Sequence, residues 1–205
     1  GGNASHEFHV LASSGEDAIA FSNQSQYAAN IELAEALAPS GGRSPAVVNM
    51  TMVDTPKKHT IDEICEYLEI IPAQCLKTLL VQGSEEGSVV ALIIRGDHEL
   101  NEVKAEKNML IAAPLTFCTP EQVTAACGAS IGSIGPVGLT IPILVDRAAA
   151  NVANFVCGAN QNGQHFSGVN WARDLPEPET ADLRNVITGD PSPDGEGSLE
   201  IARGI

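Results

Sequence analysis

The residues best suited to chemistry at first reading lie in the segment RGDHELNEVKAEK, from Arg95 to Lys107. This segment follows the apolar run SVVALII without a spacer, so its ionisable groups, among them Asp97, His98 and Glu99, stand at the end of a predicted buried strand. Each of the three could bind a metal ion or act as a general acid or base. A metal site is disfavoured, because adjacent side chains on an extended segment diverge and no second histidine stands nearby at ligand spacing. The alternative is a polar strand end followed by a capped helix.

Four other positions have residue types that suit ligand binding. Lys77 begins an apolar strand, where it is either a solvated edge lysine or an anchor for a phosphate or ribose oxygen. Asp146 ends another apolar strand and either faces a ligand crevice or caps the next helix. His165 lies in the loop GANQNGQHFSG, which either presents backbone amides to a ligand or is simply exposed. The glycine loop 132–136, GSIGP, lacks the Lys-Ser/Thr ending of a nucleotide P-loop and is a weak signal alone.

Strands and helices alternate around these positions between about residues 50 and 175. Thr60 and Glu63 form the capping-box pattern that opens a helix at 61–70. The other predicted elements are strands at 76–82, 88–95 and 141–145, a short helix at 101–107, a helix that begins at Thr119-Pro120, and a helix over RAAANVANF. The first two of these strands are joined by the turn GSEEG. The sequence therefore predicts an α/β fold, a mixed α+β sheet with surrounding helices.

Both ends of the chain have the character of sheet-forming flanks around this central unit. Residues 5–21 predict two short strands around a turn at 13–17, residues 26–37 have apolar residues at helical spacing, and 39–49 is a linker by composition. After 176 the chain is polar and proline-rich and then ends in the strand-like SLEIARGI. We expect a piece of a longer polypeptide, with an N-terminal flank at 1–40, an inserted domain at 45–175 and a return flank at 176–205.

The composition limits the classes of function. The five cysteines form no CxxC pair, which favours a reducing compartment over a disulfide framework or a cysteine zinc site. The net charge of -15 disfavours nucleic-acid binding over the whole surface and leaves a local contact with a nucleic-acid end. No apolar run approaches the roughly 20 residues of a membrane helix. We expect a soluble, cytoplasmic protein without a membrane partner.

Three long motifs together resemble bacterial prolyl-tRNA synthetase: SHEFHVLASSGEDAIAFSNQSQYAANIELAEAL, RGDHELNEVKAEK and GDPSPDGEGSLEIARGI. The middle of the chain resembles the inserted editing domain of that enzyme, a relative of the free-standing YbaK-type deacylases. The flanks 1–38 and about 180–205 resemble strands and a helix of the class II aminoacylation domain. The resemblance implies hydrolysis of alanine wrongly attached to tRNA(Pro).

The resemblance also places the editing site on particular residues. Lys77 would anchor the terminal adenosine, Asp146 would hold the α-amino group of the alanyl ester, and His165 would shape a pocket that excludes proline. Gly132, Gly135 and Pro136 of the GxxxP loop also belong to the site, and backbone amides of this loop would stabilise the oxyanion. Thr55 in VDTP also belongs to this set, and Asp97 and His98 are expected to support substrate binding beside the pocket. No residue is an obvious general base.

The resemblance further implies the cofactors and partners. Editing needs neither a cofactor nor a metal, whereas ATP and Mg serve the aminoacylation reaction of the parent enzyme. The partners are the tRNA(Pro) acceptor end carrying alanine and the remainder of a synthetase that is expected to be a homodimer. Two alternatives stay open: a non-catalytic insertion that stabilises the synthetase or positions the acceptor stem, and a deacylase specific for Cys-tRNA(Pro).

Overall fold

The computed structural model describes residues 18–203, which form two compact units, one of residues 18–38 and 184–203 and one of Pro39–Leu183. The strands are β1 (Ala18–Ser22), β2 (Ala28–Asn30), β3 (Thr51–Asp54), β4 (Leu76–Gln82), β5 (Val89–Arg95), β6 (Ile143–Asp146), β7 (Phe155–Gly158), β8 (Gln164–Val169), β9 (Thr180–Ala181) and β10 (Leu199–Arg203). The α-helices are α1 (Ile61–Leu68), α2 (Glu102–Ala105), α3 (Pro120–Cys127) and α4 (Arg147–Ala150), with 3-10 turns at Pro72–Gln74 and Ile131–Ser133. The predicted mixed α/β class is confirmed.

The smaller unit is an antiparallel sheet in the order β10-β1-β2. Its two outer strands come from opposite ends of the chain, and its core includes Ala20, Val186 and Leu199. The strand predicted in SLEIARGI is confirmed as β10. The turn predicted at 13–17 lies outside the described residues.

The helix predicted at 26–37 is wrong, because this segment begins with the short strand β2. Asn30 ends that strand: its side-chain oxygen accepts a hydrogen bond from the Glu32 amide, and its carbonyl accepts from the amides of Leu33 and Ala34. A short polar side chain that bonds nearby backbone in this way competes with a continuous helix. The apolar residues Ala29 and Ile31 therefore pack against the small core without helical periodicity.

The larger unit contains two sheets. One has the order β4-β5-β6-β9, with β4 and β5 antiparallel and the other pairs parallel. The other is antiparallel in the order β3-β8-β7. A parallel bridge from Cys75 to Val156 joins β7 to the start of β4, so the two sheets meet at that point and separate beyond it.

Local sequence signals account for the elements that frame this junction. Thr60 accepts a hydrogen bond from the Glu63 amide, and the Glu63 carboxylate accepts one from the Thr60 amide, which confirms the capping box of α1. The predicted β4-β5 hairpin is also confirmed, with Gly87 of its turn at φ 79°. The helix predicted over RAAANVANF is too long: it ends at Ala150, Asn154 has φ 53°, which an α-helix does not allow, and Phe155 instead begins β7, where it packs against Trp171.

Candidate active site

A cavity of about 170 Å³ lies where β4 and β7 separate. Its walls are the start of α1, strand β4 from Leu76 to Leu79, the turn around Gly132, and strand β7. The lining residues are His59, Thr60, Ile61, Ile64, Cys75, Leu76, Lys77, Thr78, Leu79, Ile131, Gly132, Ile134, Val156, Cys157, Gly158 and His165. Pockets that enclose drug-sized ligands are roughly 300–1,000 Å³, so this mostly apolar space suits a small group. Three of the predicted site residues, Lys77, Gly132 and His165, share it.

His165 is held in the cavity wall by Thr55. It lies on β8, between β3 and β7, and Thr55 follows directly on the end of β3. The Thr55 Oγ1 and His165 Nδ1 atoms are 2.6 Å apart, and both residues are buried. Burial lowers the pKa of His165 to about 4, so the imidazole is neutral near pH 7. Because Nδ1 is engaged by Thr55, Nε2 is the ring nitrogen left for a ligand.

Lys77 connects the cavity to the segment RGDHELNEVKAEK. Burial lowers the pKa of Lys77, while the negative charges of Glu99 and Asp97 act in the opposite direction. Asp97 forms an ion pair with Arg95 at 2.7 Å, and Arg95 also contacts His98 Nε2 at 3.1 Å. Asp97 is thus close enough to act on the lysine, and neither Asp97 nor His98 lines the cavity. Their contribution to substrate binding stays a prediction.

The glycine loop 132–136 is packed against backbone on two sides. A Cβ atom at Gly132 would lie 2.8 Å from the His59 Cα, and one at Gly135 would fall on the Gly158 carbonyl oxygen. Pro136 is buried behind this contact. The loop thus needs glycine at both positions to approach α1 and β7 so closely.

Asn160 fastens the same loop and was not singled out from the sequence. Its side chain accepts a hydrogen bond from the Gly135 amide and donates to the carbonyls of Gly135 and Val137, at 2.9 to 3.0 Å. Its own amide donates to the Ser133 carbonyl, and its backbone has φ 57°. Asparagine tolerates this left-handed conformation better than most residues, which was the available signal in GANQNG.

Asp146 is not among the residues that line the cavity. It is almost fully buried, and its two carboxylate oxygens accept hydrogen bonds from the amides of Ala148 and Leu183. These contacts cap α4 and hold the chain that leaves β9. They match the N-cap alternative, and contact with a substrate amino group stays a prediction.

The cavity thiols are not activated nucleophiles. Cys75 and Cys157 both line the cavity. Burial, reinforced by the neighbouring Cys65, raises the pKa of Cys75, and burial raises the pKa of Cys157 to about 12. A thiol attacks as the thiolate, so both are inert at neutral pH. Within residues 18–203, His, Cys, Asp and Glu side chains form no group of three that could hold a metal ion, and no helix is long and apolar enough to cross a membrane.

The fold of this unit recurs in solved structures. One is the crystal structure of a candidate trans-editing enzyme for prolyl tRNA synthetase, with a TM-score of 0.55, 22% identity, and coverage of 67% of this chain and 87% of that one. A scaffold protein used for computational epitope grafting (TM-score 0.56, 22% identity, 67% and 88% coverage) and a hypothetical protein (0.56, 23%, 67% and 93%) have the same fold.

The family model of the aminoacyl-tRNA editing domain matches residues 55–175. This range begins at Thr55, the partner of His165, and includes every residue of the cavity lining. The chain therefore belongs to the aminoacyl-tRNA editing domain family.

Proposed function

We propose that this chain hydrolyses the ester that joins alanine to the 3' end of tRNA(Pro). The observation that carries the proposal is the small cavity that brings Lys77, Gly132 and His165 together in an editing domain. In the reaction, a water molecule attacks the ester carbonyl carbon and the bond from that carbon to the ribose oxygen breaks. Alanine leaves with its carboxylate, and the ribose regains its hydroxyl.

The cavity residues support binding and orientation in this reaction. We assign contact with the terminal adenosine to Lys77, a half-buried lining residue whose pKa is lowered by burial against the opposing effect of the charges of Glu99 and Asp97. The backbone around Gly132 forms the wall where amides can face the developing oxyanion. We assign no side chain of the cavity as the general base. We propose instead that a ribose hydroxyl of the substrate assists the attacking water.

Selection against proline follows from the size and rigidity of the cavity. A missing methylene changes binding by only about 1–3 kcal/mol, so a synthetic site that accepts proline also admits alanine and needs a second site that removes the error. The pairing of Thr55 with His165 fixes one wall, and the contact of Gly135 with Gly158 fixes another. We assign the exclusion of proline to these two walls.

We also propose that editing occurs in cis, within prolyl-tRNA synthetase. The similarity of the two flanks to the class II aminoacylation domain supports this arrangement. In the smaller unit β1 and β10, one from each flank, pair along their full length from Ala18 to Ser22. Such pairing joins the chain before and after the inserted domain in one sheet, as expected for a host interrupted by an insertion. The parent would supply ATP and Mg chemistry, most of the tRNA affinity, and the dimer contact.

Deacylation of Ala-tRNA(Pro) by the protein in the presence of a chelator tests the proposal. We expect alanine release above the uncatalysed rate, faster than release from Cys-tRNA(Pro) and Pro-tRNA(Pro). Preference for the cysteinyl ester would favour the cysteine-specific alternative. Absence of release by protein shown to be folded by circular dichroism would favour the non-catalytic insertion.

A further inference from the structure

Thr78 is a buried polar side chain in the cavity wall, and its hydroxyl has no hydrogen-bond partner in the part of the chain that the structure describes. Its exposed fraction is 5%. Burial of an unpaired hydroxyl is unfavourable, and most buried polar atoms in native proteins have a partner. A functional partner from outside the chain would explain this group.

The alternation of β4 places Thr78 on the strand face that packs against part of the cavity wall. Side chains two residues apart on a strand lie on the same face, so Thr78 lies between Leu76 and Leu80. Leu76 packs in one apolar cluster with Cys157, and Leu80 packs in another with Ile134. Both Cys157 and Ile134 line the cavity, as does Thr78 itself. Thr78, itself a lining residue, therefore lies on the strand face that packs against two other lining residues.

The substrate brings one group, its α-amino group, for which few side-chain acceptors line the cavity: the Thr60 hydroxyl, which is engaged by Glu63, the ring nitrogens of His59 and His165, and Thr78 Oγ1. Lys77 and the backbone amides near Gly132 are donors, which suit the oxygens of the ester and the ribose. The α-amino group needs an acceptor, and the lining residues include no carboxylate. Asp146, the acidic residue predicted for this contact, is occupied by the amides of Ala148 and Leu183.

We propose that Thr78 Oγ1 accepts a hydrogen bond from the α-amino group of the alanyl ester, an inference that rests on the proposed function. Thr78 is then a substrate-binding residue whose hydroxyl is satisfied only in the complex. Thr78→Val keeps the shape and removes the hydroxyl. This variant should resist denaturant better than the wild type, because a buried unpaired polar atom is removed, and should bind the substrate less well.

Two acylated forms of tRNA(Pro) test the contact directly. One carries alanine and the other carries propionate, which is alanine without the amino group. The readout is the ratio of kcat/KM for the alanyl ester to kcat/KM for the propionyl ester, and we expect this ratio to be about three- to tenfold higher in wild-type protein than in Thr78→Val, the range that one neutral hydrogen bond contributes. Thr78→Ser, which keeps the hydroxyl, should retain the wild-type ratio. Thr78→Ala gives the same comparison if the valine does not fold.

The outcomes separate this inference from the proposed function. Hydrolysis of the alanyl ester by the wild type, with a ratio that Thr78→Val and Thr78→Ala retain, would overturn the role of Thr78 alone. Failure of folded wild-type protein to hydrolyse the alanyl ester would overturn the proposed function, and the Thr78 contact with it.

Discussion

Replacement of Thr55 by valine tests the wall of the cavity that contains His165. Valine preserves the volume of threonine and removes the Oγ1 atom that lies 2.6 Å from His165 Nδ1. Both residues are buried, so Nδ1 would be left without a partner away from water. Loss of one partner in a buried pair typically costs about 1–3 kcal/mol. The backbone hydrogen bond from the Thr55 amide to the Gly163 carbonyl is unchanged by the substitution.

We expect Thr55→Val to lower the free energy of unfolding by about 1–3 kcal/mol, measured by urea denaturation. If the same loss falls on the transition state, kcat/KM for Ala-tRNA(Pro) decreases by roughly five- to 150-fold. Thr55→Ser is the matched control, because it keeps the hydroxyl, and it should change both quantities much less. Wild-type stability and wild-type kcat/KM in Thr55→Val would refute the view that Thr55 positions the imidazole.

Three further predictions concern the loop, the lysine and the pH dependence. Gly135→Ala places a methyl group on a strand carbonyl and should destabilise the protein by about 1–3 kcal/mol, whereas Gly42→Ala, with open space around it, should unfold like the wild type in the same denaturation assay. Lys77→Ala should reduce kcat/KM for Ala-tRNA(Pro) at least about tenfold in single-turnover assays. The control Lys107→Ala, at an exposed position, should not. Equal activity of the two variants would refute the role of Lys77 as an anchor for the adenosine. Burial lowers the pKa of His165 from 6.5 to about 4, so the folded protein favours the neutral imidazole. The resulting contribution to the free energy of unfolding is complete above pH 6.5 and is progressively lost as the pH falls towards 4. This contribution is at most roughly 3 kcal/mol. The free energy of unfolding of His165→Asn should lack this pH dependence. The same pH dependence in the wild type and in His165→Asn would contradict the role of His165.

Local signals in the sequence were sufficient for much of the larger unit. The capping box at Thr60 and the β4-β5 hairpin depend on residues a few positions apart, so they can be recognised without tertiary information. The segment 26–37 had apolar spacing that suits a helix, yet it forms β2 because pairing with β1 and the turn at Asn30 decide its conformation. Tertiary context overrides propensity most readily in such short segments.

The cavity itself depends on contacts that no local pattern encodes. Lys77 and His165 are 88 positions apart in the chain and were placed in one site by family resemblance. Thr78 was visible only as a polar residue in an apolar strand, and its lack of a partner emerges from the packing of Leu76 and Leu80. Asp146 could be a ligand or a cap from sequence, and only the tertiary contact with Leu183 reveals how its second oxygen is used.

The structure shows which contacts the first residues of the segment RGDHELNEVKAEK make. Arg95 binds Asp97 and contacts His98, so these groups form a local network at the end of β5. Asp97 and Glu99 act on the pKa of Lys77, which links that network to the cavity. We expect this network to contribute to editing by keeping the pKa of Lys77 higher than burial alone would allow.

A crystal structure with a non-hydrolysable alanyl-adenosine amide tests the central claim most directly. We predict that the alanyl group occupies the cavity beside Thr78 and His165, with the adenosine next to Lys77 and the carbonyl oxygen facing the Gly132 backbone. Binding of the analogue elsewhere, with the cavity empty at a concentration that saturates the protein in solution, would contradict the assignment of this cavity as the editing site.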